Sequence, residues 1–427
     1  MTNQDAADLS RQGNRLFEQG SYQAALTCFE QAADLSRRNG QAETELQALS
    51  WLPVCWGNLG EWNKMAEAAT RLLARARQLA KPAYEMRAAH RLADALASID
   101  LAGRWREIRP LLEEGLQTAR QLGDDFWIVY HLMRLGDYAR QMEEWPIAYD
   151  WLQDALNALT PTTQKAAFFR MVIYQNLSRW YKGQGERAEA LRYAEMAAGA
   201  AKEDGNPDFV AGAQLNQARV QQWRGERGEA LALVEAALAT ARRIEIEARV
   251  VEALALQVRL LVELGLIERA QATYAELWAL EAANPDRYFT IGIVAYNPLR
   301  DLAGAERAYR RYLEGRPTQP DGWCNLALVL YDQGHVTEAV RSWREALKIR
   351  NEHSEALTGL ALGLWTQGQG AEAIKTLGEA AGLKARCTDP EYLHNEWGWS
   401  DPVVEAIRPL LAAARDVLSI SQKGVPV

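Results

Sequence analysis

An all-α array of stacked helical hairpins is the fold class the sequence predicts, and three observations predict it. The chain has 427 residues, beyond the size at which one compact core usually keeps growing, so it forms either several domains or an elongated array. A glycine followed five residues later by a small or apolar residue recurs at a near-constant interval. Apolar residues fall at helical spacing on both sides of that glycine, and small residues sit where two helices approach closely.

The phase opens at Gly20/Ala25, passes through Gly60/Met65, Gly103/Ile108 and Glu143/Ala148, and continues at Gly185/Ala190, Gly225/Ala230 and Gly265/Ala270. These steps are 40, 43, 40, 42, 40 and 40 residues. Gly334/Ala339 and Gly368/Ala373 follow 34 residues apart, and "AGAERAYRRYLE" supplies the second helix of one more unit before them. The expected organisation is about seven hairpins of roughly 40 residues in 1–281 and about three of roughly 34 in 282–384, ten in all. In "WCNLALVLYDQGHVTEAVRSWREAL", Trp323, Leu326, Ala327 and Leu330 form one buried stripe, and Ala339, Trp343 and Ala346 form the facing one. Pro and Gly near "EAANPDRYF" and "EGRPTQPDGW" mark a boundary and a hinge over 282–320. Residues 385–427 break the pattern; helices start at Asp389-Pro390 and Ser400-Asp401-Pro402, Trp397 and Trp399 lie between, and the reading is a helical cap with a loose tail, "SISQKGVPV".

This phase resembles the tetratricopeptide repeat (TPR), whose 34-residue helix–turn–helix has the pattern W…LA/LG…G…A…F/W…A. The resemblance covers roughly residues 7–384, and "GNRLFEQGSYQAALTCFEQAA" at 13–33 is close to the family consensus. It implies a right-handed superhelical solenoid in which neighbours complete each hairpin's core and the ends need caps. The 40-residue units are longer by six residues, or ~9 Å of helix each; similar lengthened repeats occur in proteins resembling kinesin light chain, bacterial peptide-sensing regulators and the sensor arms of signalling ATPases. The resemblance also implies a concave surface, lined by the outer side of each first helix, that binds extended peptides.

Residues recurring on that outer side are the candidate site. "NLSRWYKGQGERAEAL" at 176–191 returns as "NQARVQQWRGERGEAL" at 216–231, so Asn176 and Arg179 become Asn216 and Arg219. At 100° per residue both pairs fall nearly opposite Tyr174, Leu177, Ser178 and Tyr181. Nine residues before the turn stand Trp51, Asp94, Arg134, Asn176, Asn216 and Asn325; six before it stand Asn14, Asp137, Arg179, Arg219 and Arg259. The basic residues concentrate in hairpins four to seven, and Trp223 lies one turn after Arg219, ready for stacking. The expected partner-binding groove therefore spans 130–263, with Tyr130, Arg134, Asn176, Arg179, Asn216, Arg219, Trp223 and Arg259. Asparagine amides hold the backbone of an extended segment and the arginines pair with its carboxylates. The competing expectation is that these arginines pair with acids of adjoining helices. Exposed pairs contribute only ~0.2–1 kcal/mol, whereas bonds to a partner give ~1.5–3 kcal/mol each against ~2–5 kcal/mol for ordering it, so micromolar binding is expected. Trp62, Trp105, Trp145, Trp323 and Trp343 are expected in the core; Trp51, Trp223 and Trp365 are candidates for contact.

Other functions find less support. A net charge of −8 argues against a broad nucleic-acid surface. Cys28, Cys55, Cys324 and Cys387 are far apart, with no CxxC and no secretory leader, which points to a reduced cytoplasmic compartment, bacterial in style. No stretch reads as membrane-spanning. His90, His131, His335, His353 and His394 make no metal motif; His90 and His131 occupy equivalent places and are expected to face solvent. No P-loop, GxSxG or dinucleotide fingerprint is present, so neither a cofactor nor catalysis is expected. The lysine/asparagine clamp of TPR domains that capture chaperone tails is not reproduced, since the first three hairpins offer Ser10, Asn14, Trp51, His90 and Asp94 and only Asn14 fits. The reading is a non-enzymatic scaffold or adaptor that binds an acidic, extended or helical segment of a partner protein, including as an assembly factor. The alternatives are a peptide-responsive regulator closing at the 282–320 hinge and, less favoured, single-stranded RNA binding through the arginine row.

Overall fold

The computed structural model describes residues 5–160, 162–280 and 285–422, and among them every regular element is helical. The chain is a helical-repeat solenoid that divides into two compact units, Met1–Phe209 and Val210–Val427. The first unit stacks five antiparallel hairpins: α1 (Ala6–Glu18) with α2 (Tyr22–Arg38), α3 (Ala42–Asn58) with α4 (Trp62–Gln78), the two limbs of α5 (Pro82–Leu122), α6 (Asp125–Gln141) with α7 (Trp145–Ala158), and α8 (Ala166–Gly183) with α9 (Arg187–Asp204). α10 (Pro207–Arg224) pairs with α11 (Arg227–Arg243), and the second unit continues with α12 (Glu247–Glu263) and α13 (Ile267–Ala279), α14 (Asp286–Tyr296) and α15 (Leu302–Gly315), α16 (Pro320–Asp332) and α17 (Val336–Ile349), and α18 (Ser354–Thr366) and α19 (Gly370–Leu383). A 3-10 turn at Ala385–Thr388 leads to α20 (Pro390–Asn395) and α21 (Asp401–Gln422).

Turn chemistry sets the period. Gly20, Gly60, Gly185, Gly225, Gly265, Gly334 and Gly368 all have positive φ, between 72° and 91°, the left-handed conformation that glycine adopts without a Cβ clash. The next amide closes the turn onto a carbonyl five residues back, as Glu61 N does on Trp56 O at 3.0 Å. Glu143 takes the same conformation, φ 61°, where the fourth hairpin lacks glycine. A second left-handed series joins one hairpin to the next, at Gly40, Ala80, Gly123, Lys165, Gly205 and Glu245. Lys81 N closes on Ala76 O at 3.0 Å in the same way. α3, α4, α11 and α12 are each 17 residues long, and three-residue connections between such helices give the 40-residue interval. α16 and α17 have 13 and 14 residues, which gives the 34-residue one.

The third hairpin departs from the expected phase. Its turn lies at Asp100 (φ −163°, ψ 92°), not at Gly103. Asp100 Oδ1 accepts the Gly103 amide at 3.1 Å and starts the second limb, and a side chain at Gly103 would collide with that carboxylate. The change of repeat length near 282 lies inside the second unit, and residues 282–284 of the expected hinge lie outside the described residues. Asp389 caps α20 by accepting from Glu391 N at 3.0 Å. The tail expected to be loose is helical as far as Gln422, and 423–427 lie outside the described residues.

Each hairpin buries alanine and leucine against its neighbours. Trp343 is fully buried and lies against Gly359, where a Cβ would overlap its indole. Trp105 is also buried, whereas Trp62, Trp145 and Trp323 are half-buried. Trp323 keeps its rim position because its indole N–H donates to Pro317 O at 2.9 Å.

Candidate functional site

In the first unit, α5 and α6 enclose a polar cluster around Asp94, which is 9% exposed. Tyr138 Oη donates to Asp94 Oδ1 at 2.7 Å, Arg134 Nε lies 3.5 Å from the same oxygen, and His90 Nε2 lies 3.1 Å from Oδ2 but is poorly aimed for a hydrogen bond. Burial opposes ionisation of Asp94, yet His90, Arg134 and Tyr138 together hold it well below the usual carboxylate range. Tyr130 packs edge-on to His90, with ring centroids 4.5 Å apart, and the Arg134 guanidinium stands 5.6 Å from the Tyr130 ring. The acid of one hairpin thus engages Arg134 of the next; the arginine and Tyr130, read from sequence as groove residues, are both half-buried. His90 and His131 are not solvent-facing as expected but fully buried, with centroids 5.6 Å apart. His131 Nδ1 donates to Trp127 O at 2.7 Å; burial first, then His90, lowers its pKa to about 4.

Asn176, expected on an open face, is 2% exposed, and its Oδ1 has no hydrogen-bond partner among the described residues. The helical wheel fails here because a first helix is covered twice: α8 packs on α9 and also on α6 of the preceding hairpin. Ser178 ties α8 to α9 through Oγ to Ala190 O at 2.7 Å, and Arg179 is exposed.

In the second unit, α10 and α12 carry the other four candidates. Asn216 is 5% exposed with Nδ2 unpartnered among the described residues. Arg219 donates to Glu252 Oε1 at 2.6 Å, the adjoining-helix pairing that was the competing expectation, and Glu252 also takes Arg249 at 2.5 Å. Arg259 is half-buried and makes no ion pair or hydrogen bond among the described residues. Burial pulls its pKa below the ordinary arginine value; Glu263 opposes the shift and Arg219 adds to it. Glu263 is itself engaged by Gln222 at 2.6 Å and Arg227 at 3.0 Å. Trp223 is half-buried.

Sequence reading missed a depression of about 390 Å³ between α3, α5 and α6, lined by Trp51, Phe126 and Trp127 with Arg87 and Arg91. Trp51, expected as an outward contact, stacks on Phe29 with centroids 5.6 Å apart. The missed signal was opposite charge in equivalent places: Asp94 and Arg134 are 40 residues apart. Among the described residues no group of three or more His, Cys, Asp or Glu is placed to hold a metal ion, and no helix is long and apolar enough to cross a membrane. The four cysteines are buried, and burial pushes Cys55 and Cys387 up to about 11.

Family models of the tetratricopeptide repeat match residues 170–203, on α8 and α9, and residues 320–353, on α16 and α17. The chain carries tetratricopeptide repeats. The TPR array is similar to the crystal structure of yeast Tom70 over 98% of its own length and 99% of that chain, at 13% identity and a TM-score of 0.55. It is also similar to the apo form of the quorum sensor NprR from B. thuringiensis, over 81% of its length and 87% of that chain, at 13% identity and a TM-score of 0.51. At these identities the likeness concerns the TPR fold alone. No curated protein matches the sequence. TPR arrays are generally interaction scaffolds without catalysis.

Proposed function

We propose that the chain is a non-enzymatic scaffold that binds an acidic segment of a partner protein on the first helices of its middle repeats. The observation that carries this reading is Arg259. A guanidinium partly withdrawn from water gains nothing for the fold unless an anion meets it, and Arg259 has Arg219 beside it and no carboxylate within bonding distance among the described residues. A segment that brings a carboxylate to Arg259 satisfies it, and the half-buried Trp223, one turn after Arg219 on α10, offers an apolar contact. In the first unit, the exposed Arg179 stands at the place equivalent to Arg219.

The test is affinity capture with mass spectrometry, comparing the wild type with a combined Arg179→Glu, Arg219→Glu, Arg259→Glu variant after circular dichroism shows both folded. A partner retained by the wild type, lost from the variant and weakened by salt supports the reading. If every captured protein survives charge reversal, the arginines do not bind the partner.

A further inference from the structure

Glu396–Ser400 join α20 to α21 without helix and meet the first helices of the last three hairpins. Trp399 is 1% exposed, and its indole N–H donates to Glu355 Oε1 of α18 at 3.2 Å. Ser400 Oγ donates to Asp332 Oδ2, at the end of α16, at 2.7 Å. The Ser400 amide donates to Tyr296 Oη, at the end of α14, at 3.4 Å. One side chain from each of three consecutive hairpins therefore receives a donor from two adjacent residues of this segment.

A cap needs only apolar cover, and α21 supplies that with Val403, Val404, Ile407, Leu410 and Ala414. Two carboxylates turned toward a dry surface add nothing to such cover, because a buried anion costs more than the apolar residue that could replace it. Here each carboxylate meets a donor on the segment. The Asp332 side chain is 5% exposed and is further fixed by Arg300 Nη1 at 2.6 Å. Fixed acceptors around a buried aromatic anchor are how a surface reads the identity of an extended segment.

We infer that Trp399–Ser400 is an intramolecular ligand, filling a binding face on α14, α16 and α18 whose partner is an extended segment with an aromatic N–H donor followed by a hydroxyl residue. This goes beyond the arginine-based reading, from which it takes only the premise that first helices receive segments. A tethered segment competes at an effective concentration on the order of millimolar, so a free segment of the same chemistry binds the intact chain weakly. Loosening the tethered copy opens the face.

A fluorescent peptide of residues 394–402 is titrated against the full chain, both wild type and the Trp399→Ala, Ser400→Ala variant. The expected result is at least ~10-fold tighter binding to the variant, with the gain abolished when Asp332→Ala and Glu355→Ala, which remove both acceptors, are added to it. Equal affinity for wild type and variant, whether both bind or neither does, overturns the inference. Ser400→Ala alone removes one hydrogen bond and leaves the anchor, which guards against a misfolded double variant; a several-fold gain is expected, and no gain at unchanged helicity counts equally against the inference. Arg179, Arg219 and Arg259 take no part, so failure here leaves the charge-reversal result standing.

Discussion

Replacing Glu355 with glutamine should make the C-terminal hairpins more stable above neutral pH and leave them unchanged in acid. Burial, reinforced by Asp321 and opposed by the Trp399 bond and Arg350, raises the Glu355 pKa from 4.5 to about 7. In the unfolded chain the carboxyl ionises near its ordinary value. Below pH 4.5 both states hold the proton and the group contributes no pH-dependent term. Between that point and pH 7 the unfolded chain releases its proton while the folded chain retains it, so stability falls as pH rises and stays reduced above pH 7. At ~1.4 kcal/mol per unit, the shift from 4.5 to about 7 gives a penalty of about 3–4 kcal/mol as an upper bound. Glutamine is neutral throughout and keeps a carbonyl oxygen for the Trp399 indole. Repeat arrays unfold in parts, so the assay is amide hydrogen exchange of α18 and α21 at pH 4 and pH 8. Protection should match at pH 4, and the Glu355→Gln chain should exceed the wild type at pH 8, by up to about 300-fold in exchange rate for the full shift. A glutamine chain that is equally or less protected at pH 8 would refute the reasoning, because Glu355 would then be ionised and well solvated in the fold.

Ala80 holds φ 49° in a connection where other hairpins have glycine; Ala80→Gly should stabilise the first unit by about 0.5–1 kcal/mol, read as a raised denaturant midpoint, and a lowered midpoint would show that the backbone there is not strained. His131 is buried and neutral, so its contribution to the first unit is complete above pH 6.5 and is lost as pH falls toward about 4. Exchange protection of α6 should therefore drop between those values, and a His131→Gln chain should lose less protection over the same interval.

How much was legible follows from where each signal sits in the chain. The hairpins were readable because glycine, alanine and the helical stripe act within one turn of each other, and the cap's helix starts were readable because Asp389 and Pro390 are adjacent. The second left-handed series escaped notice because Ala80, Lys165 and Glu245 carry no glycine to mark it. A helical wheel places Asn176 opposite the core of its own hairpin, but burial by α6 comes from a helix some forty residues earlier. The bonds of Trp399 to Glu355, and of Ser400 to Asp332 and Tyr296, span 44, 68 and 104 residues. No local pattern encodes these. Arg259 was named correctly as a recurring residue, but that it lacks a partner while Arg219 has one could be learned only from side-chain positions.

The turns carry a consequence for how such a chain changes length. Lys81 N to Ala76 O and Glu61 N to Trp56 O are the same closure made by backbone atoms alone, once between hairpins and once within one. A stretch of DNA encoding forty residues can therefore be duplicated or lost by unequal crossing-over with both new junctions already equipped to close, whatever side chains they carry. Growth proceeds in whole steps, and each added step imports its own copy of the Asn and Arg positions to be kept, paired or rewritten.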